Sequence, residues 1–292
     1  MITIFSTPKD FTGIFEKIQL NALRSWRHLS PDIQIIILGD SKGSKEISSE
    51  INADYIPDVK CSIQGTPLLS DLFYKAEKIA KFNVLTFINA DIILPINFLP
   101  SIEIAIKTFT KFLLIGHRWD IDLNEIIDYN NNRHYEKFIK RIDNEGIRHG
   151  SSGIDYFVFN KGLWKKLPDF IIGRPGYDNW LIWNIRRRML PVIDGSEVIK
   201  AVHQNHSYTF HHIQDNQEAR EGQEAIINSN IHKGKGLNIL DSTHKLCSDR
   251  IIKVNDKNFK IRNLHRLPNI FPEFSILIKI YRRLYKLFIN YE

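Results

Sequence analysis

Phe87–Leu94 reads FINADIIL. An apolar run breaks at Asn89-Ala90-Asp91 and resumes at once. A buried ionised carboxylate is costly unless something compensates it, so an Asp at the tip of an apolar strand needs a reason. Alone, Asp91 reads equally as a turn or helix cap. The flanking segments narrow the choice. Val84–Ile88 is a strand, and Leu68–Lys81 before it has helical period through Leu69, Leu72, Phe73, Ala76 and Ala80. Further out, Ile2–Phe5, Gln34–Leu38 (QIIIL), Ala53–Ile56 and Phe112–Ile115 are short apolar strands. Phe11–His28, Ser44–Ile51 and Phe98–Phe109 fit helices between them. Uninterrupted apolar strands separated by helices indicate an α/β fold, a mostly parallel sheet covered on both faces.

Ligands of such sheets sit beyond the carboxyl ends of the strands. Ser6-Thr7-Pro8, Asp40 and Asp91 each follow a strand end, so three strand ends put polar groups on one rim. Past residue 116 the alternation loosens. Asp120–Asn132 is polar and Asn-rich and reads as a loop or lid, Tyr156–Phe159 as a strand, and Tyr177–Met189 as a helix. Val198–Val202 reads as a strand leading into His203-Gln204-Asn205-His206, and 207–250 is polar with weak periodicity. The expected organisation is a catalytic domain over 1–210, a polar loop or lid region over 211–250, and a basic amphipathic segment over 251–292.

Charge supports that division. The net charge is +7, and from Arg250 to Glu292 ten Lys/Arg stand against three acids, which accounts for all of it. The body is therefore not a basic nucleic-acid binder, and no nucleic-acid partner is expected. The apolar positions 274, 277, 278, 281, 284, 285 and 288 oppose Lys279, Arg282, Arg283 and Lys286, the pattern of an amphipathic helix with a basic face. Such a helix either docks on its own protein or lies on an anionic membrane, here through 270–292. The two cysteines are far apart, residues 1–11 do not read as a secretory leader, and no apolar run is long enough to be expected to span a bilayer. A cytoplasmic setting is expected, with peripheral attachment at the inner face of the membrane.

Taken in order, several elements resemble a nucleotide-sugar glycosyltransferase of the GT-A type, close to the broad family 2 group, over roughly 1–210. They are the first strand with Ser6-Thr7-Pro8, Leu38-Gly39-Asp40, Gly65-Thr66-Pro67, Asn89-Ala90-Asp91, Gly153-Ile154-Asp155-Tyr156, Gly176-Tyr177-Asp178-Asn179-Trp180 and His203-Gln204-Asn205-His206. The resemblance implies a Rossmann-like mixed sheet. It implies that Asp91 is the last carboxylate of a metal-binding Asp-x-Asp motif, in which Asn89 replaces the first Asp. A divalent cation, Mg²⁺ or Mn²⁺, would offset the charge of a departing nucleoside diphosphate. His203 or His206 would be a further ligand. Thr7, Pro8, Asp40 and Thr66 would line the nucleotide, with Asn89 and Asp91 at the donor, and Asp155 would touch donor sugar or acceptor. Asp178 would be the base of an inverting transfer to a hydroxyl of a glycan or lipid-linked acceptor, as in polysaccharide biosynthesis. The usual Glu-Asp pair is Tyr177-Asp178 here. Two rivals remain: a non-catalytic nucleotide-sugar-binding or membrane-associated protein on a degenerate transferase scaffold, and a nucleotidyltransferase. For the latter, STPKDFTG (Ser6–Gly13) is a poor phosphate loop, with one Lys and a late Gly.

Overall fold

A computed structural model describes residues 1–206 and 216–276. The first half alternates: β1 (Thr3–Ser6), α1 (Ile14–Leu29), β2 (Gln34–Leu38), α2 (Ser44–Glu50), β3 (Asp54–Ile56), α3 (Leu69–Ile79) and β4 (Val84–Ile88). Next come β5 (Ile92–Ile93), α4 (Phe98–Thr108), β6 (Leu113–Ile115), β7 (Arg118–Ile121), α5 (Asn132–Glu145), β8 (Ile147–Arg148) and β9 (Tyr156–Asn160). They are followed by α6 (Tyr177–Arg187), β10 (Val192–Asp194) and β11 (Ala201–Gln204). The remaining described elements are α7 (Asn216–Glu221), α8 (Gln223–His232), β12 (His244–Leu246), β13 (Ile251–Lys253) and α9 (Lys257–Ile270).

The main sheet runs β13-β12-β10-β6-β9-β4-β1-β2-β3. It is the expected mixed, mostly parallel sheet: β9 is antiparallel to both β4 and β6, and β13 to β12. Alternation within the strands separates two cores. Ile36, Leu38, Phe5, Phe87, Phe157 and Phe159 face α3 and α6. Ile35, Ile37, Ile4, Ile88, Tyr156 and Val158 face α1, α2 and α4. The central strands bury both faces, which is why β2 and β4 are almost wholly apolar, with buried Gln34 and Thr86 as the exceptions. Trp180 and Trp183 of α6 belong to the first core, where their rings lie 6.0 Å apart.

A smaller sheet, β5-β11-β7-β8, lies beside the main one. It covers a third apolar cluster of Ile93, Ile121, Val202, Tyr129, Phe138 and Ile142. Buried Asn21 and Gln204 tie it to α1. Asn21 donates to Gln204 Oε1 at 2.9 Å, and Gln204 donates to the Ile18 carbonyl at 2.8 Å.

Several elements differ from the sequence reading. The last expected strand shifts to Ala201–Gln204, so His203 lies inside a strand rather than after it. Val198 and Ile199 instead turn onto the Gly195 carbonyl. The polar stretch from Asp120 begins in β7 and runs toward α5, because polar β7 side chains face a cleft rather than a core. Within 211–250, the described part holds α7, α8 and β12, and β12 pairs with β10 in the main sheet. The amphipathic pattern from Phe274 onward falls largely on 277–292, outside the described residues. Among the described residues no helix is long and apolar enough to cross a membrane.

Candidate functional site

The carboxyl ends of β1, β2 and β4 open onto a cleft of about 630 Å³. Because β9 runs antiparallel to β4, its amino end meets the same rim, and the Asn89 N–H donates to the Asp155 carbonyl at 3.0 Å. Thr7, Pro8, Asp40, Thr66, Asn89, Asp91, Asp155, His203 and His206 all line this cleft. Asp178 does not; its neighbour Tyr177 does. Gly39, at φ 97°, carries the chain past Thr7, where a Cβ would lie 3.2 Å from Thr7 Oγ1. At the outer end, Tyr55 donates to Asp40 at 2.6 Å.

The small sheet assembles the inner end. Register places His203 beside Ile92 on one side and Asp120 on the other. Asp91, one residue before β5, thereby meets both histidines: its Oδ2 is 3.7 Å from His203 Nε2 and 3.3 Å from His206 Nε2. One ligand atom from each of the three lies within 4.8 Å of the others. Asp91 Oδ1 is buried and has no hydrogen-bond partner among the described residues. A carboxylate with one orphaned buried oxygen, whose other oxygen faces two imidazoles, fits a divalent cation by both geometry and donor chemistry. Burial alone would raise the Asp91 pKa. The His206 hydrogen bond and the charges of His203, His206 and Lys9 outweigh it and hold the group well below the usual carboxylate range.

Asp120, which the sequence reading placed in a loop, is the hub behind His203. Its Oδ1 lies 2.9 Å from His203 Nδ1 and 2.9 Å from Arg118 Nε, and its Oδ2 is 2.5 Å from His149 Nδ1. Burial would raise Asp120, but its bonds to His203 and His149 and the charge of Arg118 hold it well below its ordinary value. Burial would likewise lower His203, and Asp120 and Asp91 more than reverse that, so His203 is raised. A carboxylate on Nδ1 turns Nε2 toward Asp91, the arrangement by which an outer carboxylate orients a metal-binding histidine. Asp120→Asn is expected to weaken Mn²⁺ binding by about 10- to 100-fold, read by calorimetry, while the protein stays folded by circular dichroism.

Asp155 is heavily committed. Asn89 Nδ2 donates to it at 2.6 Å and Arg118 Nη1 at 3.2 Å. Asn89 thus supplies a tether for Asp155 where a carboxylate would have supplied repulsion. Asp178 sits in the first turn of α6, after Gly176. Burial, helped by the charge of Asp155 and opposed by nearby backbone N–H groups, pushes its pKa up to about 6.

On the opposite wall, Arg174 and Glu224 pair at 2.6 Å, both side chains almost fully buried. Glu224 also accepts from Ser62 and from Thr66 Oγ1, the latter at 3.0 Å. It thus fastens the 62–66 loop to α8. Glu224→Leu removes the carboxylate from a buried ion pair and is expected to cost about 3–5 kcal/mol of stability in urea unfolding. No sequence signal announced Asp120, His149, Arg174 or Glu224: Arg174 lines the cleft, and the other three contact it or its lining only through folding of distant segments.

These features, a mostly parallel sheet with antiparallel β9 and a rim carboxylate beside a small second sheet, define the GT-A type of fold. Among solved structures, the chain is similar to S. aureus TarS in complex with UDP-GlcNAc: 10% identity, TM-score 0.55, 94% of this chain and 72% of that one. Another TarS structure, spanning 1–349, matches at 12% identity and TM-score 0.39 over 57% of this chain, which spans only 50% of that one. Mycobacterium tuberculosis glucosyl-3-phosphoglycerate synthase in complex with Mn²⁺, UDP and phosphoglyceric acid matches at 12% identity and TM-score 0.48, over 80% of this chain and 78% of that one. At such identities the likeness speaks for the fold. No protein-family model and no curated protein matches the sequence.

Proposed function

We propose that this chain is a glycosyltransferase that moves a sugar from a nucleoside-diphosphate donor to an acceptor hydroxyl, with inversion and with a divalent cation. The observation that carries the reading is Asp91, with its orphaned buried Oδ1, facing His203 and His206 at the floor of the rim cleft. TarS and glucosyl-3-phosphoglycerate synthase, which share the architecture, have been crystallised with UDP-GlcNAc and with Mn²⁺ and UDP.

Asp91, His203 and His206 would hold Mg²⁺ or Mn²⁺, which when bound offsets charge on the departing diphosphate. The nucleotide lies between the Thr7-Pro8 turn, Asp40 and Thr66, all on the cleft wall. The acceptor oxygen attacks the anomeric carbon as the bond from that carbon to the diphosphate oxygen breaks, and Asp178 takes the acceptor proton. Asp155 is the rival base. Its oxygens already accept from Asn89 and Arg118, so it positions substrate, whereas Asp178, pushed up to about 6, is better matched to proton transfer near neutrality. The acceptor class is a glycan or lipid-linked glycoconjugate, and the basic 270–292 segment would hold the enzyme at an anionic membrane.

The test is a panel of nucleotide sugars incubated with the protein in Mn²⁺, Mg²⁺ or EDTA, with released nucleoside diphosphate measured. Metal-dependent release from one donor supports the reading. Donor binding without turnover in any acceptor screen favours a binding-only scaffold.

A further inference from the structure

Lys9 follows the Thr7-Pro8 turn and reaches into the same cleft. Its backbone is clamped from both sides by the buried Gln19 of α1. Gln19 Oε1 accepts from the Lys9 N–H at 2.7 Å, and Gln19 Nε2 donates to the Lys9 carbonyl at 2.9 Å. The ammonium stands 4.3 Å from the centre of the Phe15 ring. That ring in turn packs 5.1 Å from His206, so the cation is built into the wall next to the Asp91 cluster. Burial depresses its pKa, the Asp91 charge raises it, and Arg174 across the cleft lowers it. Two cations that repel each other across a cleft form a receptor for an anion. They are held differently: Arg174 is locked to buried Glu224, whereas Lys9 is presented over an aromatic face.

The charge of the metal cluster gives this placement a purpose. Asn89 stands where a second acid would be, Asp155 is tied to Asn89 and Arg118, and Asp120 lies behind His203. Asp91 is the carboxylate left facing the cation position, and one carboxylate with two neutral imidazoles binds a hard cation less tightly than a two-carboxylate site. Resting on the glycosyltransferase reading, we propose that Lys9 binds the diphosphate of the donor directly, supplying positive charge at a site whose single carboxylate holds a cation weakly, so that nucleoside diphosphate is held in part without a divalent ion.

The test is calorimetric binding of UDP, GDP and CDP to the full chain, in Mn²⁺ and in EDTA, for wild type, Lys9→Gln, Lys9→Met and Lys9→Arg. Each variant is first shown to be folded by circular dichroism. Wild type is expected to bind one diphosphate in EDTA. Lys9→Gln and Lys9→Met are expected to weaken that binding by about 10- to 100-fold, with Lys9→Arg retaining most of it. The corresponding nucleoside monophosphate should lose less. Equal affinity of wild type and both neutral variants in EDTA overturns the inference while leaving the transferase reading intact. The same holds if wild type binds the diphosphate only with Mn²⁺. Failure of wild type to bind any diphosphate in either condition overturns both.

Discussion

Asp91→Ala is expected to reduce metal-dependent release of nucleoside diphosphate by on the order of 10²–10³-fold, the loss seen when one group that stabilises developing charge is removed. The effect is large because Asp91 is the carboxylate of the Asp91–His203–His206 cluster. A neutral methyl there leaves two imidazoles, which hold a hard divalent ion poorly. Thermal shift gives an independent readout. At a hundredfold excess of Mn²⁺ over its dissociation constant, wild type should gain about 2.7 kcal/mol, and the mutant should gain almost nothing. A mutant that kept the wild-type shift would place the ion elsewhere.

Asp178→Asn is expected to lower kcat by about 10²–10⁴-fold, the usual contribution of a positioned base, with donor affinity nearly unchanged. In wild type the rate should rise with pH and level off above about 6, where the buried carboxylate becomes ionised. Stability should move the opposite way. A carboxyl raised in the folded state binds more protons than the unfolded chain between its ordinary value of 3.8 and about 6, so wild type loses stability as pH rises through that window. The neutral amide escapes this loss, so the inactive mutant should gain stability relative to wild type above pH 6. A helix cap alone predicts no change in kcat, and that result would sink the base assignment.

The apolar strands were legible because a strand buried on both faces is apolar at most positions, as QIIIL and VLTFI are. Helices packed on such a sheet show one apolar stripe, as α3 does through Leu69, Leu72, Phe73 and Ala76. Two short late strands at one end of the main sheet were not legible. His244–Leu246 and Ile251–Lys253 are short and partly polar because one side of each meets solvent, and nothing local distinguishes them from loop. The β7 segment failed for a related reason: Arg118 lines the cleft and Asp120 backs His203, so their charges imitate a surface turn.

By itself the sequence determined the alternating strands and helices of the first half and the rim that carries Thr7, Asp40 and Asp91, since these follow from periodicity and position along the chain. Tertiary structure decided which charges are committed. The pairing of Arg118 with Asp155 and Asp120, of Arg174 with Glu224, and of His203 with Asp120 joins segments 37, 2, 50 and 83 residues apart. Only the Arg118–Asp120 contact is local in sequence. The other pairings exist because antiparallel β9, the small second sheet and α8 converge on one rim. Electrostatic partnership depends on distance in space, which a linear pattern of residues does not encode until the sheet is assembled.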